Sequence, residues 1–288
     1  MQLGICLTPI YPKAIKDCSL MLQLIEKIRG KGVFQCVEIY FEGTKEEEQE
    51  IKKSLLGSGL TAVYLGGLPI KRDGIDISAE REEKRKGSVL ACKRHIDHAI
   101  NMGCKKMVVA SGPIWKENKN SERVIEQTRR SLEELDFYCR GSNLQISLEP
   151  FPVKTSPYMA VGGKEIVKGI FKNSNFQNIG ITFDTSHFIQ LEEDLEESFD
   201  SLRPWIHHLH LANCVMKDTS SALYGDQHPL FSHIGGELTL ENIRKFYKKL
   251  EKEGSLKDID ICSLEIISRG KEEWYYQKVC EEAAEVWK

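Results

Sequence analysis

The chain has 288 residues, 41% hydrophobic and 29% charged, with 40 basic against 43 acidic side chains and a net charge of −3. That much apolar material builds a real core and excludes an intrinsically disordered chain. The near-balance of charge argues against a protein whose main affinity comes from neutralising phosphates, although a local basic patch stays open.

Short apolar, β-rich segments recur along the length, at residues 3–8, 36–41, 61–67, 106–112, 145–151, 179–185, 206–212 and 261–267. Between them lie helical stretches with clear punctuation. Thr44 and Glu47 make a capping box ahead of a helix that stops at Gly57 and Gly59. The stretch from Ala79 to Met102 stops at Gly103. Ser121 and Thr239 start two more, and a last helix runs from about Lys271 to the end. Strands alternating with helices of this length mean βαβ units and a parallel sheet. Eight such units predict a closed (β/α)8 TIM barrel, an α/β fold in which residues 1–288 form a single domain.

Nine cysteines occur singly, without a C-x-x-C pair. They read as buried free thiols in a reducing compartment, not as a disulfide frame or a zinc knuckle. The N-terminal segment has no secretory pattern, and no apolar run approaches the ~18 residues of a membrane span. A soluble, cytoplasmic protein without a membrane partner is expected.

Barrel chemistry sits at the C-terminal ends of the strands. The first four strands end in Thr8, Glu42, Gly66-Gly67 and Ser111-Gly112, and the last four in Glu149, Asp184, His210 and Glu265. An ionised group at the end of an apolar run is costly unless it is paired or bound to a cation. A single strand-end carboxylate is more often a helix cap or an Arg partner. Four hard or borderline donors on consecutive strands instead suit one divalent ion, Mn²⁺, Zn²⁺, Mg²⁺ or Co²⁺.

Six of the eight histidines fall between His187 and His233. Strand alternation puts His208 and His210 on one face and sends His207 toward the helices. His210, nearer the strand end, is the better ligand, and His208 reads as a satisfied core histidine. His95 and His98 read as helix surface or edge positions. Asp184 and His187 are three residues apart across a strand-to-loop turn, so both can reach one pocket. Asp226 and His228 lie in a loop of roughly 25 residues after strand seven, and loops that long tend to be functional. With His187 they could hold a second metal or bind substrate hydroxyls; a solvated loop pair is the plain alternative. Trp115 could stack on a sugar face, or simply pack.

The segments SLEP (Glu149), FDTSH (Asp184 to His187), HLHLAN (His210), GDQH (Asp226 to His228) and SLEI (Glu265) resemble those of the xylose-isomerase-like TIM barrels. That family includes ketose 3-epimerases, inosose isomerases and dehydratases, and endonuclease IV. The resemblance implies a central metal held by Glu149, Asp184, His210 and Glu265. It also implies that Glu149 and Glu265 act as an acid–base pair and that His187 contacts substrate. The expected activity is isomerisation or epimerisation of a small-molecule sugar or polyol by proton transfer through an enediolate between the two glutamates. The alternative is a metal-dependent phosphodiester hydrolase of endonuclease IV type, with His187, Asp226 and His228 holding a further metal. No histidine precedes His95, so the N-terminal histidines of that enzyme have no counterpart here. The loop after His210 carries only Lys217 where ketose epimerases typically have an arginine. Nucleic acid is not the favoured partner, and a homodimer is a natural state for such barrels.

Overall fold

The computed structural model describes residues 1–113, 121–155 and 159–288. Eight parallel strands close on themselves: β1 (Gln2–Cys6), β2 (Cys36–Ile39), β3 (Thr61–Leu65), β4 (Lys106–Val109), β5 (Gln145–Leu148), β6 (Ile179–Asp184), β7 (Ile206–Leu211) and β8 (Ile261–Leu264), with β8 pairing back to β1. An outer helix follows each strand, in order Cys18–Lys31, Lys45–Ser58, Glu82–Asn101, Ser121–Cys139, Lys164–Phe171, Leu195–Leu202, Leu240–Lys252 and Glu272–Val286. The fold is the expected (β/α)8 barrel.

Local signals account for the helix ends. Thr44 accepts from the Glu47 amide while Glu47 reaches back, and Gly59 closes that helix at φ 73°. Thr239 caps the next-to-last helix with Asn242 in the reciprocal role. The main core lies between strands and helices, and a smaller apolar cluster of Cys36, Val63, Val108 and Ile261 sits apart from it. The rest of the barrel interior is markedly polar. Glu38, Lys106, Ser147, Thr182, His208 and Ser263 are all buried.

The strands stop one to three residues short of their expected C-terminal ends, because the chain turns outward there into loops and short helices. Thr8 lies in a helical turn, Leu7–Ile10, and Gly67 opens another, Gly67–Arg72. Glu42 lies three residues beyond β2, half-buried and paired with Lys16, Arg72 and Tyr40.

His207 departs from the alternation. The β6–β7 register steps from Ile181↔Ile206 to Thr182↔His208, so one extra residue bulges from β7. The bulge turns the His207 ring into the barrel floor instead of toward the helices, against Gly180 and 3.2 Å from Lys106 Nζ. His95 is likewise less exposed than a surface residue, with Nδ1 2.9 Å from the Tyr64 hydroxyl. All nine cysteines are free, but Cys18 and Cys280 are only half-buried. Among the described residues no helix is long and apolar enough to cross a membrane.

Candidate metal centre

Parallel strands bring four side chains to one point above the barrel. Asp184 is the last residue of β6, His210 lies near the end of β7, and Glu149 and Glu265 directly follow β5 and β8. One donor atom from each lies within 4.8 Å of those of the other three. His210 Nδ1 is 3.0 Å from Glu149 Oε1 and 2.7 Å from Glu265 Oε2. Asp184 and His210 are fully buried, Glu149 nearly so, and Glu265 half-buried.

Asp184 is oriented by its own backbone. Its Oδ1 accepts from the Ser186 amide (2.7 Å), the Ser186 hydroxyl (2.7 Å) and the His187 amide (3.0 Å), capping the short helix Thr185–Gln190. Its Oδ2 is buried and has no hydrogen-bond partner. An anionic oxygen in that state is costly unless a cation meets it. Three carboxylates and one imidazole around one point form a donor set that fits a divalent ion of the Mn²⁺, Zn²⁺, Mg²⁺ or Co²⁺ class.

The electrostatics show the same concentration of negative charge. Burial disfavours a charged His210, yet Glu38, Glu265 and Glu149 outweigh it and hold the imidazole well above its ordinary pKa. Burial pushes Glu149 up against the pull of His210. Partial burial pushes Glu265 up too, but His210 and His228 together hold it below the usual carboxylate range.

A second group adjoins the first. His187 Nδ1 donates to the Pro150 carbonyl at 2.9 Å, which aims Nε2 at Asp226 Oδ1, 3.0 Å away. Phe151 lies against the same ring at a centroid distance of 4.4 Å. His228 Nε2 donates to that Asp226 oxygen at 2.6 Å. Burial opposes charge on both imidazoles, but neighbouring carboxylates, Asp184 and Asp226 for His187 and Asp226 and Glu265 for His228, raise them to about 10 and about 9. His228 adopts φ 39°, a left-handed backbone uncommon outside glycine, and its Nδ1 is buried without a hydrogen-bond partner. Donor atoms of Asp184, His187 and His228 also lie within 4.8 Å of one another.

A cavity of about 420 Å³ opens beside these groups, with Glu149, Asp226, His228 and Glu265 on one side. Ile15, Leu65, Leu68, Met159 and Ile267 form an apolar wall, and Lys71 also lines the space. Such a volume suits a small molecule. Lys217 does not line it; that side chain is exposed and pairs with Glu237 at 3.0 Å. Trp115 lies outside the described residues.

One residue escaped the sequence reading. Glu38, in the middle of β2, is completely buried, with Oε1 2.8 Å from His208 Nε2 and Oε2 3.1 Å from His210 Nε2. It lies within its strand and not at the strand end, where the other charged groups stand out. Its signal was a lone carboxylate inside the apolar run CVEI, in step with Cys36 on the inward face.

A search of curated proteins finds no relative of significant similarity. Among solved structures, a D-tagatose 3-epimerase-like protein matches with a TM-score of 0.74 at 20% identity, over 99% of this chain and 98% of that one. The IOLI protein with a bound zinc atom matches with a TM-score of 0.69 at 16% identity, over 100% and 95%. An AP endonuclease, family 2, from Brucella melitensis matches with a TM-score of 0.64 at 17% identity, over 96% and 99%. Identities this low establish a shared fold. The family model described as xylose isomerase-like TIM barrel matches residues 25–286, and the chain belongs to that family.

Proposed function

We propose that the protein is a divalent-metal-dependent isomerase or epimerase of a sugar or polyol. One observation carries the reading: Glu149, Asp184, His210 and Glu265 turn one donor atom each to a common point, and both glutamates also line the cavity. A divalent ion held by these four residues supplies Lewis-acid polarisation of a carbonyl and a neighbouring hydroxyl.

The chain's own groups move the proton. One of Glu149 and Glu265 removes the hydrogen from the carbon beside the carbonyl, and the other returns a proton, from the opposite face for epimerisation or at the adjoining carbon for isomerisation. They stand on β5 and β8, with β6 and β7 between them, so they approach a bound substrate from different sides. Asp226 and His228, which line the cavity, bind substrate hydroxyls, Asp226 as acceptor and His228 through its unpartnered Nδ1, while His187, with both ring nitrogens engaged, holds Asp226 in place. The apolar wall keeps water from the reacting carbon.

The test is a panel of ketopentoses, ketohexoses and inososes in D2O with protein reconstituted with Mn²⁺ or Co²⁺. Deuterium should enter beside the carbonyl, and Glu149→Gln or Glu265→Gln should abolish entry while the fold survives. Near-full activity in either variant, or activity untouched by chelation, overturns the reading.

A second reading, metal-dependent phosphodiester hydrolysis, is favoured by the Asp184, His187 and His228 group, which offers donors for a further ion. Counting bound metal separates the two: about one ion per chain supports the isomerase, and two or three support the hydrolase.

A further inference from the structure

The barrel interior holds a polar chain beneath the site. The Ser147 and Thr182 hydroxyls lie 2.7 Å apart, Thr182 Oγ1 is 3.1 Å from His208 Nδ1, and His208 Nε2 and His210 Nε2 both point at Glu38. All five residues are fully buried. An ionised carboxylate is an acceptor only. Each imidazole facing it therefore presents an N–H at Nε2.

For His210 this has a definite consequence. With the proton kept at Nε2, the Nδ1 lone pair is available toward Glu149 and Glu265, 3.0 and 2.7 Å away. Were the proton at Nδ1, the ring would offer no donor pair there. A carboxylate behind a ligating imidazole fixes its tautomer and ring angle and raises its basicity.

We propose that Glu38 is a positioning residue for the metal centre, holding His210 in the tautomer and orientation that directs Nδ1 at the shared point. The inference rests on the metal-dependent reading of the site. Cys6 Sγ, 3.8 Å from His210 Nε2, also neighbours this pair and could with Glu38 and His210 hold an ion of its own; in the positioning role Glu38 carries the imidazole proton's partner and no cation.

The experiment measures Co²⁺ binding to the metal-stripped full chain by calorimetry. Glu38→Gln keeps the shape and one acceptor but loses the charge and the second acceptor. Its Co²⁺ affinity should fall about 10–100-fold. His208→Gln keeps an N–H donor for Glu38 and leaves the Glu38–His210 contact in place, so its Co²⁺ affinity should fall less than that of Glu38→Gln. In the Zn²⁺-loaded parent, ¹⁵N NMR should show His210 protonated at Nε2 and metallated at Nδ1, a readout that needs no variant to fold.

Unchanged Co²⁺ affinity in Glu38→Gln, or a His210 proton at Nδ1, overturns the positioning role alone. Loss of one whole ion from the stoichiometry with the remaining affinity intact makes Glu38 a ligand of a separate ion, which also overturns it. A parent that binds no divalent ion removes the metal-centre reading and this inference with it.

Discussion

Gly180 and His207 interlock at the floor of the barrel: a Cβ built on Gly180 would lie 1.5 Å from His207 Nε2. Gly180 has an ordinary strand backbone, so alanine would normally help by restricting the unfolded chain. Here the ring is also held by Lys106 and cannot leave without exposing that buried ammonium. Gly180→Ala is expected to cost about 1–3 kcal/mol or more through overpacking. Urea denaturation measures it, and the double variant with His207→Ala should recover part of the loss. A single variant as stable as the parent would show the ring moves freely.

The same histidine gives a pH dependence with a definite sign. Burial, aided by the Lys106 cation, lowers the His207 pKa from 6.5 to about 3. Between these values the unfolded chain binds a proton that the folded ring refuses. Stability is therefore full above about 6.5 and declines as the pH falls toward 3, by at most about 1.4 kcal/mol per pH unit for one proton. His95, lowered by burial to about 4, works in the same direction. The difference between parent and His207→Gln isolates the one residue: urea midpoints at pH 7, 6 and 5 should fall less steeply in the variant. Equal slopes would rule His207 out as a contributor.

The strands were legible because parallel strands are covered on both faces and read as unbroken apolar runs. Their charged ends stood out against that background, which is why Glu149, Asp184, His210 and Glu265 could be picked from the sequence and why the structure finds them at one point. Glu38 was hidden by the same logic, since it breaks a run in the middle, and only its partners from β7, about 170 residues away, give it meaning. His207 was misread because alternation assumes a constant period of two, and a bulge resets it. The grouping of His187 with Asp226 and His228 was legible from the long loop after strand seven, but not the 3.0 Å contact of His187 with Asp226, which depends on a loop path that no local pattern encodes.

Asp184 has two separable duties. Through Oδ1 it caps a helix, and through the unpartnered Oδ2 it faces the proposed metal site. Asparagine caps about as well as aspartate, so Asp184→Asn should keep stability within about 1 kcal/mol. Its amide nitrogen would then face the site as a donor, so Co²⁺ affinity should fall by more than the roughly 100-fold ceiling of outer-shell changes. Calorimetry of binding beside thermal unfolding separates the two duties. Retained Co²⁺ affinity would remove Asp184 from the ligand set.

Glu282 ties the C-terminal helix to the loop that carries Asp226 and His228. From Glu272–Val286 its buried carboxylate accepts from the Phe231 amide at 3.1 Å and the Ser232 amide at 2.9 Å, three and four residues beyond His228. Glu282→Ala leaves both amides without partners at a cost of about 1–3 kcal/mol each where water cannot reach them. Glu282→Gln retains one acceptor oxygen and should lose roughly half as much. The Ile267 amide on the His228 carbonyl (3.1 Å) and the Asn213 side-chain amide on the Leu230 carbonyl (3.2 Å) hold the loop from the barrel side, and Glu282 holds it from the helix side, so slackening there should reach His228, whose left-handed backbone persists only under external constraint. Hydrogen exchange at Phe231 and Ser232 should accelerate in the alanine variant, and the apparent KM should rise before kcat falls, since in the proposed function the groups displaced bind substrate and do not transfer the proton. Unaltered exchange at those two amides would mean that the loop holds its shape without the helix.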